Sequence, residues 1–352
     1  MLISSSFFLC GNSGKEEDTV KLSKWIGISA FLTFCAVSVI FLTLLGQDLF
    51  KIESASDKAE STYQYHFVLI PEELDNEYWQ LVQKGAADAA DVHHVYLEYL
   101  GPKQADVDDH LKTIDMAIAG HVDGIMTQGL DAKKYKPLFQ KAREKGIDVV
   151  TVDTDAEGSK RQVYVGTDNY YSGFIAGQAL IADTKGEQYV GIVTGRLDAI
   201  HQKLRVKGFR DAVSAEKRIH IAGIEESAIT KSGASGAAYK LLNDHAKLTA
   251  FYGTSALDGA GIIQAIAQYR SSTDFYVLAF DTLPDTIQAL DDGTIDAVVV
   301  QHPYEMGYQA VESLVRLQKG EKEEPLQYTG TSVIRRGDLP LQQTDRKQGV
   351  QP

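Results

Sequence analysis

The sequence predicts an α/β protein whose main body is two doubly wound parallel-sheet lobes, preceded by one transmembrane helix. Three observations predict the body. From Tyr65 onward, short apolar runs alternate with segments of helical periodicity, the pattern of βαβ units around a parallel sheet. The pattern holds about eleven strands over about 280 residues, near the ceiling for a single core, so two lobes are expected. An internal echo supports the division: VVTVDT (149–154) and VLAFDT (277–282) are buried-type strands that both end in Asp-Thr, one in each half.

Taken in order, YHFVLIP (65–71) is a strand, and apolar or small residues at helical spacing run from Asn76 to Ala90. The strand HVYLEYL (94–100), a helix near 104–119, the strand GIMTQ (124–128) and a helix near 132–145 follow, leading into DVVTVD (148–153) and the short VYVG (163–166). The second half reads as helix 170–183, strand QYVGIVTG, helix 198–214, strand HIAGIEE and helix 231–245. It closes with TAFYG, helix 256–269, FYVLAFD, helix 284–291, IDAVVVQ and helix 303–318.

Ahead of the body, WIGISAFLTFCAVSVIFLTLLG (25–46) carries no charge. A bilayer core of about 30 Å needs about 20 apolar residues in a helix, so this segment is long enough to span one. Lys21 and Lys24 precede it, and Asp48, Lys51 and Glu53 follow, which places residues 1–24 in the cytoplasm and the body outside. The run is longer than a signal-peptide core, and Leu44-Leu45-Gly46-Gln47 is a poor cleavage site, so an uncleaved signal-anchor at the cell membrane is expected. Val20 is a candidate start, because Gly14-Lys15-Glu16-Glu17 can be encoded by a purine-rich ribosome-binding sequence; residues 1–19 would then be untranslated. Residues 47–64 are polar and aperiodic and read as a stalk; 342–352 read as a disordered tail.

Composition narrows the function. With 35 Lys+Arg against 48 Asp+Glu the formal charge is −13, which argues against a nucleic-acid partner. The two cysteines, Cys10 and Cys35, precede the body, so it has neither disulfides nor thiolate chemistry. GASGAA (233–238) lacks the Lys-Ser/Thr ending of a phosphate-binding loop, and no G-x-S-x-G elbow occurs. His93 and His94 are neighbours on a strand and point to opposite faces, so they cannot share a metal. A repressor would need a helix-turn-helix where the apolar segment stands. None of these motifs points to enzyme activity, a cofactor or a metal, so none is expected, and an enzyme stays the remote alternative.

Ligands of open parallel sheets sit beyond the carboxyl ends of the strands. Asp153 and Asp281 stand at two such ends. Either alone could equally cap the turn that follows, but the matched pair favours a ligand clamp.

Several ordered motifs between Tyr65 and Ile334 resemble the type I periplasmic binding proteins of the ribose- and galactose-binding group, whose fold the lac-repressor effector domains share. These are the turn Leu74-Asp75-Asn76-Glu77-Tyr78-Trp79, Asp153 after the fourth strand, Thr167-Asp168-Asn169, Arg205-Val206-Lys207-Gly208-Phe209, Phe280-Asp281, Asp291-Asp292-Gly293 and Gln301. The resemblance implies three crossovers, near 166–168, 301–303 and 330–331. It divides the chain into a first lobe of 65–167 with 302–331 and a second of 168–301 with 332–341. It also implies a sugar or sugar-like ligand enclosed by hinge bending.

The residue types suit that chemistry. Tyr78 and Trp79 offer flat apolar surface for a sugar face, with one of the two expected in the core. Asp153 and Asp281 accept from hydroxyls, Arg205 donates a planar fork, and Asn76 and Gln301 both donate and accept. Thr154 and Ser255 complete the expected ligand-binding set, although ribose-type members carry Arg and Asn at those positions. Asp198 and His201 are candidates to fill the resulting gap. The expected partner is an uptake permease; the alternative is a sensor kinase for which the chain acts as co-receptor.

Overall fold

The computed structural model describes residues 33–34, 36–38, 63–269 and 275–339. Contacts divide the chain into Met1–Thr62 and Tyr63–Pro352. In the first unit Thr33, Phe34, Ala36, Val37 and Ser38 are helical. The rest of the expected 25–46 span lies outside the described residues, as do 1–24, 47–62 of the expected stalk and the 342–352 tail. Among the described residues no helix is long and apolar enough to cross a membrane.

The second unit holds two six-stranded sheets. The first lobe contains β1 (Tyr65–Ile70), α1 (Glu77–His93), β2 (Val95–Tyr99), α2 (Val107–Ala119), β3 (Gly124–Thr127), α3 (Ala132–Glu144), β4 (Asp148–Val152) and β5 (Val163–Gly166). The chain then enters the second lobe, which runs α4 (Asn169–Asp183), β6 (Gln188–Thr194), α5 (Ile200–Val213), β7 (Ile219–Glu226), α6 (Lys231–Asp244), β8 (Ala250–Gly253), α7 (Asp258–Tyr269), β9 (Tyr276–Phe280), α8 (Pro284–Asp292) and β10 (Ala297–Val300). It returns for α9 (Pro303–Gln318) and β11 (Leu326–Tyr328), then crosses again to β12 (Ser332–Arg335).

The strand orders are β11-β5-β4-β3-β1-β2 and β12-β10-β9-β8-β6-β7. Pairing is parallel throughout except between β10 and β12. Three connections therefore join the lobes, at 167–168, 301–302 and 329–331. The sequence pattern did not reveal β11 and β12, because strands of three and four residues with exposed positions carry no clear alternation.

Local chemistry starts the helices where the pattern places them. Asn76, Asp106, Asp131, Asp168 and Thr230 each accept a hydrogen bond from a backbone N–H in the first turn that follows. Pro284 and Pro303 occupy first-turn positions, where a missing N–H costs nothing.

The central strands are buried on both faces, as parallel sheets covered on both sides require. In the first lobe, α1 and α9 cover one face around Trp79, Val82, Met306 and Leu314, while α2 and α3 cover the other around Ile114, Tyr135 and Phe139. In the second lobe, Leu241, Ile262 and Leu290 fill one face, and Leu180 and Phe209 fill the other.

The contact between α4 and α5 is close enough to require glycine on both sides. A Cβ at Gly173 would collide with the carbonyl of Arg205, and one at Gly208 with the carbonyl of Tyr170. This fixes α5 and the Arg205 side chain that it carries.

Candidate ligand-binding site

Asp153 and Asp281 follow β4 and β9 in the same unusual backbone state, with φ of +64° and +66°. Left-handed backbone is uncommon for any residue but glycine, and Asp tolerates it better than most. The turn redirects the chain sharply past each strand end, and each Asp backbone N–H stays in its ladder, donating to Val165 and Val299 respectively. Both side chains are buried.

Asp153 is richly supplied with donors. Its Oδ1 accepts from the Tyr78 hydroxyl at 2.8 Å, and its Oδ2 accepts from Thr154 Oγ1 at 2.9 Å and Gln128 Nε2 at 3.2 Å. Asp281 receives one side-chain bond, from Gln301 Nε2 to Oδ1 at 2.8 Å. Burial pushes its carboxyl up to about 7, against the opposing pull of Arg205 and of the Gln301 bond.

Arg205 links the two. It donates from Nε to Asn169 Oδ1, from Nη1 to the Thr254 carbonyl and from Nη2 to Gln301 Oε1, each at 2.8 Å. Its guanidinium lies over the Phe280 ring, 4.2 Å from the centroid, and Nη2 stands 4.0 Å from Asp153 Oδ1 in the opposite lobe. Gln301 Oε1 also accepts from Thr167 Oγ1 at 2.7 Å, so one carboxamide joins two of the three crossovers to Arg205 and Asp281.

A second contact crosses the lobes at His201. Its Nδ1 lies 2.9 Å from Thr154 Oγ1 and its Nε2 lies 3.1 Å from Gln202 Nε2. Thr154 spends its only proton on Asp153, so His201 Nδ1 must donate, and Nε2 accepts from Gln202. Gln202 Oε1, at the other end of that carboxamide, accepts from Thr194 and Thr254. Burial lowers the His201 pKa to about 4, which keeps the imidazole neutral.

The expected site residues thus separate into two groups. Asp153, Thr154, Arg205, Asp281, Gln301 and the Tyr78 hydroxyl form one buried polar array. Ser255 is buried beside it, its backbone N–H donating to Asp258 at 2.8 Å. Asn76 and Trp79 make their contacts within the first lobe. Asn76 caps α1, accepting from the Tyr78 N–H at 2.9 Å, and its amide donates to Glu73 at 2.6 Å. Trp79 packs into the first-lobe core and meets Tyr78 edge-on. Both rings lie in that core cluster, and Tyr78 reaches the array through its hydroxyl.

Of the two residues expected to fill the gap, His201 lies in the array, and Asp198 lies exposed at the rim. Gln128, Asn169 and Gln202 were missed. Gln128 follows β3 directly, so the strand-end rule that found the aspartates, applied to every strand, would have found it too. Among the described residues no group of His, Cys, Asp or Glu could hold a metal ion.

Known proteins decide the family. The family model described as the periplasmic binding protein domain matches residues 67–322. The chain belongs to this family. The ribose import binding protein RbsB of Escherichia coli is 24% identical over 270 residues, spanning 76% of this chain and 90% of its own. The D-ribose/D-allose-binding protein of Pseudomonas aeruginosa is 22% identical, spanning 76% and 86%.

Among solved structures, GanP, a glucose-galactose binding protein from Geobacillus stearothermophilus, is 53% identical with a TM-score of 0.76, covering 79% of this chain and 99% of that one. The XylFII–LytSN complex matches at 34% identity and a TM-score of 0.75, covering 78% and 99%. Three of these four are named as sugar-binding proteins, one of them for import. The chain is a binding protein of the periplasmic type, and these relatives are binding proteins of that kind rather than enzymes.

Proposed function

We propose that the chain is a membrane-anchored, extracytoplasmic receptor that encloses a hexose of the glucose or galactose type between its lobes by hinge closure. The observation that carries this reading is the buried Asp153–Arg205–Gln301–Asp281 array, in which one guanidinium stands 4.0 Å from the strand-end carboxylate of the first lobe and reaches that of the second through Gln301. Carboxylates that accept and a fork that donates match the alternating hydroxyls of a sugar rim. The 53% identity to a glucose-galactose binding protein supports a hexose. Thr154 and Ser255, standing where ribose-type members carry Arg and Asn, favour a hexose over ribose. The uncharged 25–46 segment supports the anchor, with the body outside the cell membrane.

A thermal-shift panel of pentoses, hexoses and uronates tests this, because a ligand that binds only the folded chain raises its melting temperature. The expected result is a rise with D-glucose or D-galactose; a flat response across the panel contradicts it.

Delivery to an ABC permease is the first role proposed, and the relatives that serve import support it. Presentation of the bound sugar to a membrane sensor is the second, favoured by the XylFII–LytSN complex, in which one such protein is joined to a second one. Deleting the chain separates the two: sugar uptake falls in the first case, and sugar-dependent gene induction falls in the second.

A further inference from the structure

Outside the polar array, one other pair of charged side chains among the described residues joins the lobes closely. Glu72 follows β1 in the first lobe, and Arg196 follows β6 in the second. Arg196 Nη1 donates to Glu72 Oε1 at 2.7 Å across 124 positions of sequence. Both sit at carboxyl ends of strands, as the clamp residues do. Arg196 also lines a cavity of about 340 Å³ at the mouth of the cleft, with Asp106, Asp108 and Lys134 from one lobe and Glu226 from the other.

The two partners are held unequally. Within its own lobe Arg196 is gripped by Asp198, from Nε at 3.1 Å and Nη2 at 3.0 Å. The neighbouring Leu197 N–H donates to Glu226 at 2.9 Å, which fixes the loop. Arg196 is thus oriented by contacts within its own lobe, leaving Nη1 to reach across. The Glu72 carboxylate accepts from Arg196, and its side chain is only 5% exposed where that of Arg196 is 20% exposed. Its backbone N–H donates to Gln128 Oε1 at 2.8 Å, and Gln128 Nε2 donates to Asp153. The bridge at the mouth is therefore continuous with the carboxylate at the floor.

We propose that Arg196 is a positioning residue for ligand capture: held ready by Asp198, it takes Glu72 as the lobes close and slows the escape of the bound sugar without touching it. This rests on the hinge-closing reading above. Closure carries the Glu72 carboxylate out of water, and a buried carboxylate stripped of its cation is costly, whereas a cation left with a second carboxylate at a partly exposed rim is not. Burial already pushes the Glu72 carboxyl up to about 7 with Arg196 in place. The two halves of the bridge should therefore respond unequally to removal.

The test is calorimetry and dissociation kinetics of the full chain with D-glucose and D-galactose. Arg196→Ala should weaken binding about tenfold, through faster dissociation. Glu72→Gln keeps an acceptor and should weaken it less than threefold. The double variant should bind as Glu72→Gln does, because no charge remains to be buried unpaired. Arg196→Ala binding within twofold of wild type overturns the proposal, and so does a double variant as weak as Arg196→Ala alone. If wild type binds neither sugar, the proposed hexose capture fails. Hydrogen exchange in the ligand-free chain then judges the bridge: faster exchange across residues 71–76 in Arg196→Ala supports it, and unchanged exchange overturns it.

Discussion

Asp153 and Asp281 occupy equivalent places in the two lobes, with the same strand-end turn and nearly the same positive φ, yet their surroundings differ sharply. Asp153 gathers bonds from a phenol, a hydroxyl and a carboxamide; Asp281 has one carboxamide. Burial alone therefore dominates at Asp281 and raises its pKa to about 7. The comparison teaches that the backbone positions the carboxylates symmetrically, while side-chain supply makes one a satisfied anchor and leaves the other short of donors. Sugar hydroxyls are donors of the kind that Asp281 lacks.

The strongest way to break the comparison is to remove the group both carboxylates share. Arg205→Ala withdraws three hydrogen bonds and the counter-charge from a buried array. The expected cost is about 3–5 kcal/mol of folding stability, with loss of measurable sugar binding. Urea unfolding and calorimetry check both; unchanged affinity would show that the carboxylates act without it.

Next in size is pH. Between its ordinary 3.8 and about 7, folded Asp281 keeps a proton that the unfolded chain releases. Its contribution to stability is full at acid pH and is lost as pH rises through about 7. The ligand-free melting temperature should therefore fall from pH 5 to pH 8. Glu72 and Asp258, also raised by burial, to about 7 and about 6, add to the same slope. Asp281→Asn should flatten the slope and gain up to roughly 4 kcal/mol at pH 8. An unaltered slope in that variant would contradict the difference between the two sites.

The same substitution in the other lobe sharpens the contrast. Asp153→Asn replaces one acceptor oxygen with an amide that faces donors already in place. It should destabilise by about 1–3 kcal/mol at pH 8, opposite in sign to Asp281→Asn, by chemical denaturation. The smallest effect is that of Tyr78→Phe, which removes one of three side-chain donors to Asp153 and should cost about 1 kcal/mol by the same measurement.

Residues whose role follows from a strand end were legible in the sequence. The alternation of strands and helices marks the α/β lobes, and the repeated Asp-Thr endings point to both aspartates. Arg205 and Gln301 came from a motif resemblance, and the close approach of α4 and α5 explains why the Arg-x-x-Gly spacing matters. Partnership across the lobes was hidden. Nothing local links Glu72 to Arg196 or Thr154 to His201, because only the three crossovers bring those strand ends together. At Asn76 and Trp79 the sequence leaves two roles open: a residue that starts a helix beside a cleft has the composition of a ligand contact, and capping and core packing draw on the same side chains.

The proposed receptor holds a sugar between the lobes by the two aspartates at once. Calorimetric titration of the full chain and of its Asp153→Ala and Asp281→Ala variants with D-glucose and D-galactose tests it most directly. A dissociation constant of about 1 μM, near −8 kcal/mol, is expected for one of these sugars, with a loss of at least about a hundredfold in each variant. Wild-type affinity retained in either variant would contradict it.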